Sequence, residues 1–411
     1  MGQTIAEKII FQHTQKRAYA GEIAITKVDG AMATDTTAPL AMKAFREMGG
    51  SRLFDASKFF LVIDHAAPAP NERIANLHKL MREFSAEQGS KLYEIGQGIC
   101  HQIMVEQQHV KPSQIFMGAD SHTSTYGALN ALACGLGSTD LAAVMLTGKV
   151  WLKIPQSIKI ICRGELPKGV FAKDLILFLV SKLTISGATY QSVEFEGETF
   201  ENMTLAGRMA IANMLAETGA KTGFVTAKGL QLPYDFEPTF ADAYAKYSQV
   251  LEYDVSQLST QIAAPESPDN VVDIDKHLGK KIDYAFIGTC GNGRLEDLQA
   301  AAQILKGKTI KDGVRFIIAP ASKNVLLAAI NDGTAATLIS AGATFINSGC
   351  GPCVGTHEGV PADDEVVISS ANRNFRGRMG NPKAQIYLAS PATVAASALA
   401  GEIMSPSLVI D

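Results

Sequence analysis

Short apolar runs recur along the chain, and several lead directly into a small group of polar residues. FFLVI (59–63) runs into Asp64 and His65, and IFMGA (115–119) into Asp120, Ser121 and His122. YAFIGT (284–289) precedes Cys290, TFINSG (344–349) precedes Cys350, and VVISSA (366–371) precedes Asn372 and Arg373. Runs this short, rich in β-branched and aromatic residues, predict strands. Strands are expected at 59–63, 114–117, 158–162, 284–287, 315–318, 344–346 and 366–368. They alternate with helical stretches, expected at 38–48, 71–87, 139–148, 205–217, 296–305 and 322–332. That alternation predicts an α/β architecture. In open α/β sheets ligands bind beyond the carboxyl ends of the strands, so these polar groups are candidates to converge on one cleft.

At 411 residues the chain exceeds one ordinary core, and about three domains of ~100–150 residues each are expected. The breaks are placed near residues 147–154, before a fresh strand-like run, and within 248–283, where APESPDN (264–270) reads as a connection. The expected domains are 1–148, 149–272 and 273–411. With 46% hydrophobic and 19% charged residues the composition is that of a soluble globular protein. Its 37 basic and 41 acidic residues leave a net charge of −4, which gives no electrostatic case for nucleic acid. The N-terminus lacks the apolar core of a signal peptide. The most apolar run, Leu175 to Val180, is far shorter than the ~18 residues a spanning helix needs. A cytoplasmic location and no membrane partner are expected.

Six cysteines in so long a chain do not make a disulfide framework. Cys350 and Cys353 sit in GCGPCVG, and Cys290 sits in GTCGNG. Glycine lets the backbone turn sharply and approach a bulky object closely. The CxxC pair alone fits half a zinc site, a redox pair or neither; the glycine load disfavours a thioredoxin-like pair. Adding Cys290 favours a soft metal centre held by three thiolates, one fewer than a closed cluster takes. Cys100, Cys134 and Cys162 lie among apolar or small residues and read as buried hydrophobes.

At these stretches the chain resembles a known family. FIGTCGNGRLEDL (286–298), NSGCGPCVGTHEGV (347–360) and SSANRNFRGRMGNPKAQIYLASPATVAASALAG (369–401) are similar to the aconitase superfamily, above all its 3-isopropylmalate dehydratase large subunits. GICHQ (98–102), GADSHTSTYGALNALACGLGSTDLA (118–142) and VEFEG (193–197) fit in order, so the likeness spans nearly the whole chain. The resemblance implies three α/β/α domains around a central cleft. It implies one [4Fe-4S] cluster per subunit on Cys290, Cys350 and Cys353, with one iron not ligated by protein. The implied reaction is dehydration and rehydration of a hydroxy dicarboxylic acid. Asp64 and His65 match one histidine–carboxylate pair, His101 and Asp120 a second, and His122 and Glu194 a third. Arg373 and Arg378, with Ser121, match substrate-binding positions, while Asn292 and Asn372 match asparagines near the cluster. His13, His78, His109 and His277 match no motif and read as surface or core residues.

The chain departs from the family in two places. It reads Cys290-Gly291-Asn292 where Cys-Thr-Asn is usual, and Thr34 stands where aconitase has glutamine, which argues against citrate. The sequence stops at Asp411 without the swivelling fourth domain that carries the family's serine base. A separate small subunit carrying that domain is therefore the expected partner. Relatives acting on 2,3-dimethylmalate or of homoaconitase type are the nearest alternatives. A non-catalytic metal-binding or iron-sensing protein, or an electron carrier, represents the other classes. Neither of those needs Asp64, His65, Asp120, His122, Glu194, Arg373 and Arg378 together.

Overall fold

The computed structural model of the chain describes residues 2–409. Its strands gather into three larger sheets and a two-stranded ribbon. The first sheet runs Lys91–Tyr93, Phe59–Val62, Gly30–Thr34, Ile115–Gly118, Leu132–Gly135, all parallel. The second runs Thr222–Val225, Ser192–Glu196, Ser157–Arg163, Gln249–Asp254, also parallel. In the third, Gln385–Leu388, Val366–Ser369, Tyr284–Ile287, Arg315–Ile318 and Thr344–Phe345 are parallel. Two short antiparallel strands, Gln261–Ala263 and Val271–Asp273, extend its edge. The ribbon pairs Ile23–Lys27 with Lys149–Lys153.

Why the inner strands were legible follows from their burial. Every residue of Gly30–Thr34, Phe59–Val62 and Tyr284–Ile287 is buried, because both sheet faces are covered. Alternation along the strand sends Phe59 and Leu61 into one core with Ala31 and Ala33, and Phe60 and Val62 into another with Met32. Each such side chain contributes roughly 1.5–3 kcal/mol by leaving water. The second of these cores also takes in Cys290 and Cys350, so the packing beneath the first sheet reaches the cysteine turns.

Residues 248–283 are more ordered than their composition predicts. They supply the edge strand Gln249–Asp254 of the second sheet and the two antiparallel strands of the third. Gln249–Asp254 has no fully buried residue, which is why its sequence lacks an apolar run. The helix expected over 205–217 ends as an α-helix at Met214 and tightens into a 3-10 turn, Leu215–Thr218. Among the described residues no helix is long and apolar enough to cross a membrane.

Candidate active site

The loops after the carboxyl ends of Gly30–Thr34, Phe59–Val62, Ile115–Gly118, Tyr284–Ile287, Thr344–Phe345 and Val366–Ser369 meet around a cavity of about 350 Å³. Its lining includes His65, His101, Asp120, Ser121 and His122 from the first sheet. The third sheet contributes Cys290, Cys350, Cys353, Asn372, Arg373 and Arg378. The convergence expected from strand-end placement is what the fold produces.

Asp35, just past Gly30–Thr34, holds the neighbouring loop by its backbone. Its carboxylate accepts the N–H groups of Asp64 (3.1 Å), His65 (2.8 Å) and Ala66 (2.8 Å). His78 Nε2 lies 3.4 Å from the same carboxylate, so this histidine, expected to be a bland residue, belongs to the support of the site. Burial opposes ionisation of Asp35, but His78, His65 and the N–H groups outweigh it and bring its pKa down to about 2. Asp35→Asn removes one acceptor oxygen and the charge. We expect it to lower Tm by several degrees and kcat/KM by about tenfold, consistent with a charge-assisted hydrogen bond of roughly 1.5–3 kcal/mol. Thermal melting and steady-state kinetics of the variant check this.

Two of the three expected histidine–carboxylate pairs form as read. Asp64 Oδ1 lies 2.8 Å from His65 Nδ1, and its Oδ2 accepts the Cys100 N–H at 2.7 Å. His101 Nε2 lies 2.8 Å from Asp120 Oδ1, with Tyr126 Oη at 3.1 Å from its other ring nitrogen. Asp120 is also 3.3 Å from His65 Nε2 and accepts the His122 N–H at 2.8 Å, so one carboxylate serves three histidines. Burial pushes the pKa of Asp120 up, yet His101, His122 and His65 together hold it well below the usual carboxylate range. For His65, burial disfavours the charged ring, but Cys350, Asp64 and Asp120 more than compensate and raise its pKa well above 6.5.

The third pair is different from the one expected. Glu194 lies within the second sheet, where it accepts the Ile5 N–H at 2.8 Å and the Tyr247 hydroxyl at 2.6 Å. It does not line the cavity, and His122 does not contact it. The partner of His122 is Glu217, with Oε1 2.9 Å from Nε2. Arg373 Nε donates to both oxygens of Glu217, at 2.8 and 2.9 Å, and Arg373 Nη2 donates to Ser121 Oγ at 3.0 Å. Burial raises the pKa of Glu217, but His122 and Arg373 bring it below its ordinary value. The available signal was one acidic residue ending the apolar run LAGRMAIANMLAE (205–217).

Asn372 donates to Cys290 Sγ at 3.3 Å, and Arg378 Nη2 to Cys353 Sγ at 3.7 Å. Asn292 turns away instead, donating to Asp297 Oδ1 at 3.1 Å. An asparagine not anticipated, Asn213, stands beside Cys290 and, like Asn372, opposes the upward push of burial that takes its thiol to about 11. Gly291 now has a reason: a Cβ there would meet Asn372 Oδ1 at 2.2 Å, so glycine lets that amide reach the sulfur. Thr289, just before Cys290, adopts φ of 81°, a strained value for a β-branched residue. Thr36, Thr356 and Cys100 also line the cavity.

These residues fit an iron–sulfur cluster. Cys290, Cys350 and Cys353 are free, buried and share one cavity, and each has a donor or cation beside its sulfur. Buried thiols are held neutral unless a cation draws them to thiolates. Arg378 Nε is buried without a hydrogen-bond partner and belongs to the cavity wall.

The model of the aconitase family (aconitate hydratase) matches residues 7–234 and 235–401. The 3-isopropylmalate dehydratase large subunit 2 of Archaeoglobus fulgidus is 46% identical over 415 residues, covering 99% of each chain. A probable methanogen homoaconitase large subunit of Methanosarcina mazei is 48% identical over 392 residues, covering 93% of this chain and 99% of that one. The homoaconitase large subunit of Thermus thermophilus is 43% identical over 409 residues, covering 99% and 98%. Among solved structures, the holo-form of aconitase X from Thermococcus kodakaraensis superposes with a TM-score of 0.51 at 13% identity, covering 87% of this chain and 88% of that one, a likeness of fold alone. The chain belongs to the aconitase family.

Proposed function

We propose that the chain is the large subunit of an iron–sulfur hydro-lyase that dehydrates and rehydrates a 2-substituted malate, with 3-isopropylmalate as the leading substrate. One observation carries this reading: buried thiols, two guanidiniums and histidine–carboxylate pairs share a single cavity. Metal retention alone asks only for the thiols. The arginines add recognition of carboxylates, and the histidine pairs add proton handling. The relatives support the substrate class and, being large subunits matched over nearly their whole length, a small-subunit partner.

When bound, a [4Fe-4S] cluster on Cys290, Cys350 and Cys353, with one iron lacking a protein ligand, would supply the Lewis acid that eases departure of hydroxide. Arg373 is held in place by Glu217 and Ser121, and Arg378 by Cys353, so both forks are oriented before a substrate carboxylate arrives. His65 holds a proton on Nε2, and Asp64 fixes its ring from the opposite nitrogen. That proton is placed for delivery to the departing hydroxyl group. Asp120 orients the rings of His65 and His101 and holds the backbone N–H of His122, whose ring is oriented by Glu217. The base that takes the carbon-bound proton belongs, in this reading, to the swivelling domain of the small subunit.

Anaerobic reconstitution of the purified chain with iron and sulfide tests the proposal. A brown protein with about four irons is expected, with little turnover until the small subunit is added. One tightly held zinc in place of iron, or full activity from this chain alone, overturns it. Among 3-isopropylmalate, 2,3-dimethylmalate and homocitrate, the first is expected to show the highest kcat/KM. A preference for homocitrate would move the assignment to the homoaconitase-type alternative, which the Methanosarcina and Thermus relatives favour.

A further inference from the structure

Two buried cations lie behind the cavity with no role in the account above. Lys173, in the helix Ala172–Leu183 beside the second sheet, is 1% exposed. Its Nζ donates to the carbonyls of Ser370 at 3.0 Å and Ala371 at 2.8 Å. Arg294 is equally enclosed, and its Nη1 and Nη2 donate to the carbonyls of Gly291 and Cys290, both at 2.7 Å. Its Nε reaches Gln102 Oε1 at 3.1 Å, one residue beyond His101. These carbonyls belong to the two turns that present Asn372 with Arg373, and Cys290.

A buried ammonium is costly to desolvate, and an apolar side chain of similar volume would pack the same space with less penalty. Among the described residues Lys173 makes no salt bridge, and the carboxylates of Asp297 and Glu217 act on its charge only from farther away, so an ion pair does not explain its placement. What its charge does hold is backbone, two consecutive carbonyls at the end of Val366–Ser369, reached from a helix of another layer. The turn they define is short: Ser370 donates its N–H to Phe286 O at 3.0 Å, Ala371 donates its own to Ser369 Oγ at 3.0 Å, and Asn372 follows at once. A shift of the turn moves the Asn372 amide off Cys290 and the Arg373 fork off Glu217 and Ser121 together. Ser370 Oγ also accepts the Gly288 N–H at 3.1 Å, so the turn is held by hydrogen bonds on both sides, while the Lys173 side chain borders a cavity of about 170 Å³ with Asn292 and Asp297 and is not close-packed there.

We propose that Lys173 is a positioning residue of the site: by gripping the carbonyls of Ser370 and Ala371 it sets where Arg373 and Asn372 stand. Arg294 does the same for the cysteine turn, which separates the two effects. The inference rests on the proposed function only in giving Arg373 the task of binding a substrate carboxylate.

Two measurements on Lys173→Met test it. Hydrogen exchange at the Ser370 and Ala371 amides is expected to rise about tenfold, with the Val366–Ser369 strand still protected and iron per chain at the wild-type level. In the holoenzyme with its small subunit, KM is expected to rise about tenfold with a smaller fall in kcat. The double variant with Arg373→Lys is then expected to be no worse than the more damaging single variant, because both remove one function. A brace that merely joins two layers would lower Tm and leave the two losses multiplicative. Unchanged exchange at both amides, or multiplicative losses, overturns the proposal. If Lys173→Met does not accumulate folded, Lys173→Gln, whose shorter side chain has no charge, is read the same way. The exchange measurement needs no substrate, so a wild-type protein without dehydratase turnover would defeat the proposed function while leaving this inference to be decided.

Discussion

Glu217→Gln is expected to lower kcat/KM by about a thousandfold, while Glu194→Gln leaves it within a few-fold of wild type. The first change keeps shape and removes one charge that both His122 and Arg373 depend on. Breaking a buried pair by neutralising one partner costs about 3–5 kcal/mol, because the other charge stays buried without its counter-ion. That range corresponds to a factor of about 150 to about 5,000 in rate if the loss falls on the transition state. Glu194 contacts only the Ile5 amide and Tyr247 among these groups, so its loss reaches neither the histidine nor the arginine.

The same pair of variants differs in its response to pH. Burial is the largest influence on Glu194 and takes its pKa from 4.5 up to about 7, against the opposing pull of Tyr247 and the Ile5 N–H. The folded chain therefore holds this proton where the unfolded chain has already lost it. Stability is highest below the unfolded value and declines as pH rises from about 4.5 to about 7, by a total on the order of 3 kcal/mol. Glu194→Gln removes that decline, so the variant is expected to melt at or above the wild-type temperature at pH 8 and to gain little at pH 4.5. Glu217 has the opposite sign. Its pKa is lowered in the fold, so it stabilises above its unfolded value and that contribution fades on acidification. Urea titrations at pH 4.5 and pH 8 separate the two. A thousandfold loss on Glu194→Gln with Glu217→Gln active would restore the pairing expected from VEFEG.

Cys290→Ser is expected to leave less than a tenth of the wild-type iron after reconstitution, whereas Cys100→Ala and Cys134→Ser keep about four irons per chain. Cys100 makes this a sharp comparison, because its thiol lines the same cavity as the three proposed ligands. The surroundings of the four sulfurs differ in sign. Cys290 has the amides of Asn372 and Asn213, Cys350 has His65, and Cys353 has the Arg378 guanidinium. At Cys100 burial raises the pKa first, and Asp64 and Asp120 push it further in the same direction. A thiol among carboxylates is disfavoured as a thiolate and hence as a ligand to a soft metal. Iron and sulfide analysis of the variants, together with the visible absorption of the brown protein, decides the outcome. Loss of iron on Cys100→Ala would imply four protein ligands and a closed cluster. That would favour the electron-carrier class and remove the open position on which the dehydratase reading stands.

The sequence by itself determined the strands and the residues that follow them. FFLVI, YAFIGT and VVISSA are legible because a parallel strand covered on both faces is apolar at every position, and the polar residue ending such a run marks the sheet's carboxyl edge. Cys290, Cys350 and Cys353 stood out as cysteines in glycine turns after strands, which favoured a soft metal centre without deciding it, and only the resemblance to the aconitase family grouped them as one ligand set. Edge strands such as Gln249–Asp254 were not legible, because half-exposed strands carry no such run. Only the tertiary structure decided which carboxylate faces His122, that Asn292 turns toward Asp297, that Cys100 opens on the cavity, and that Asp35 and Lys173 grip the loops from behind. The physical reason is common to all of them. A buried charge or amide is satisfied by whatever partner packing brings within about 3 Å, and residues 95 or 198 positions apart in the chain carry no local trace of that meeting.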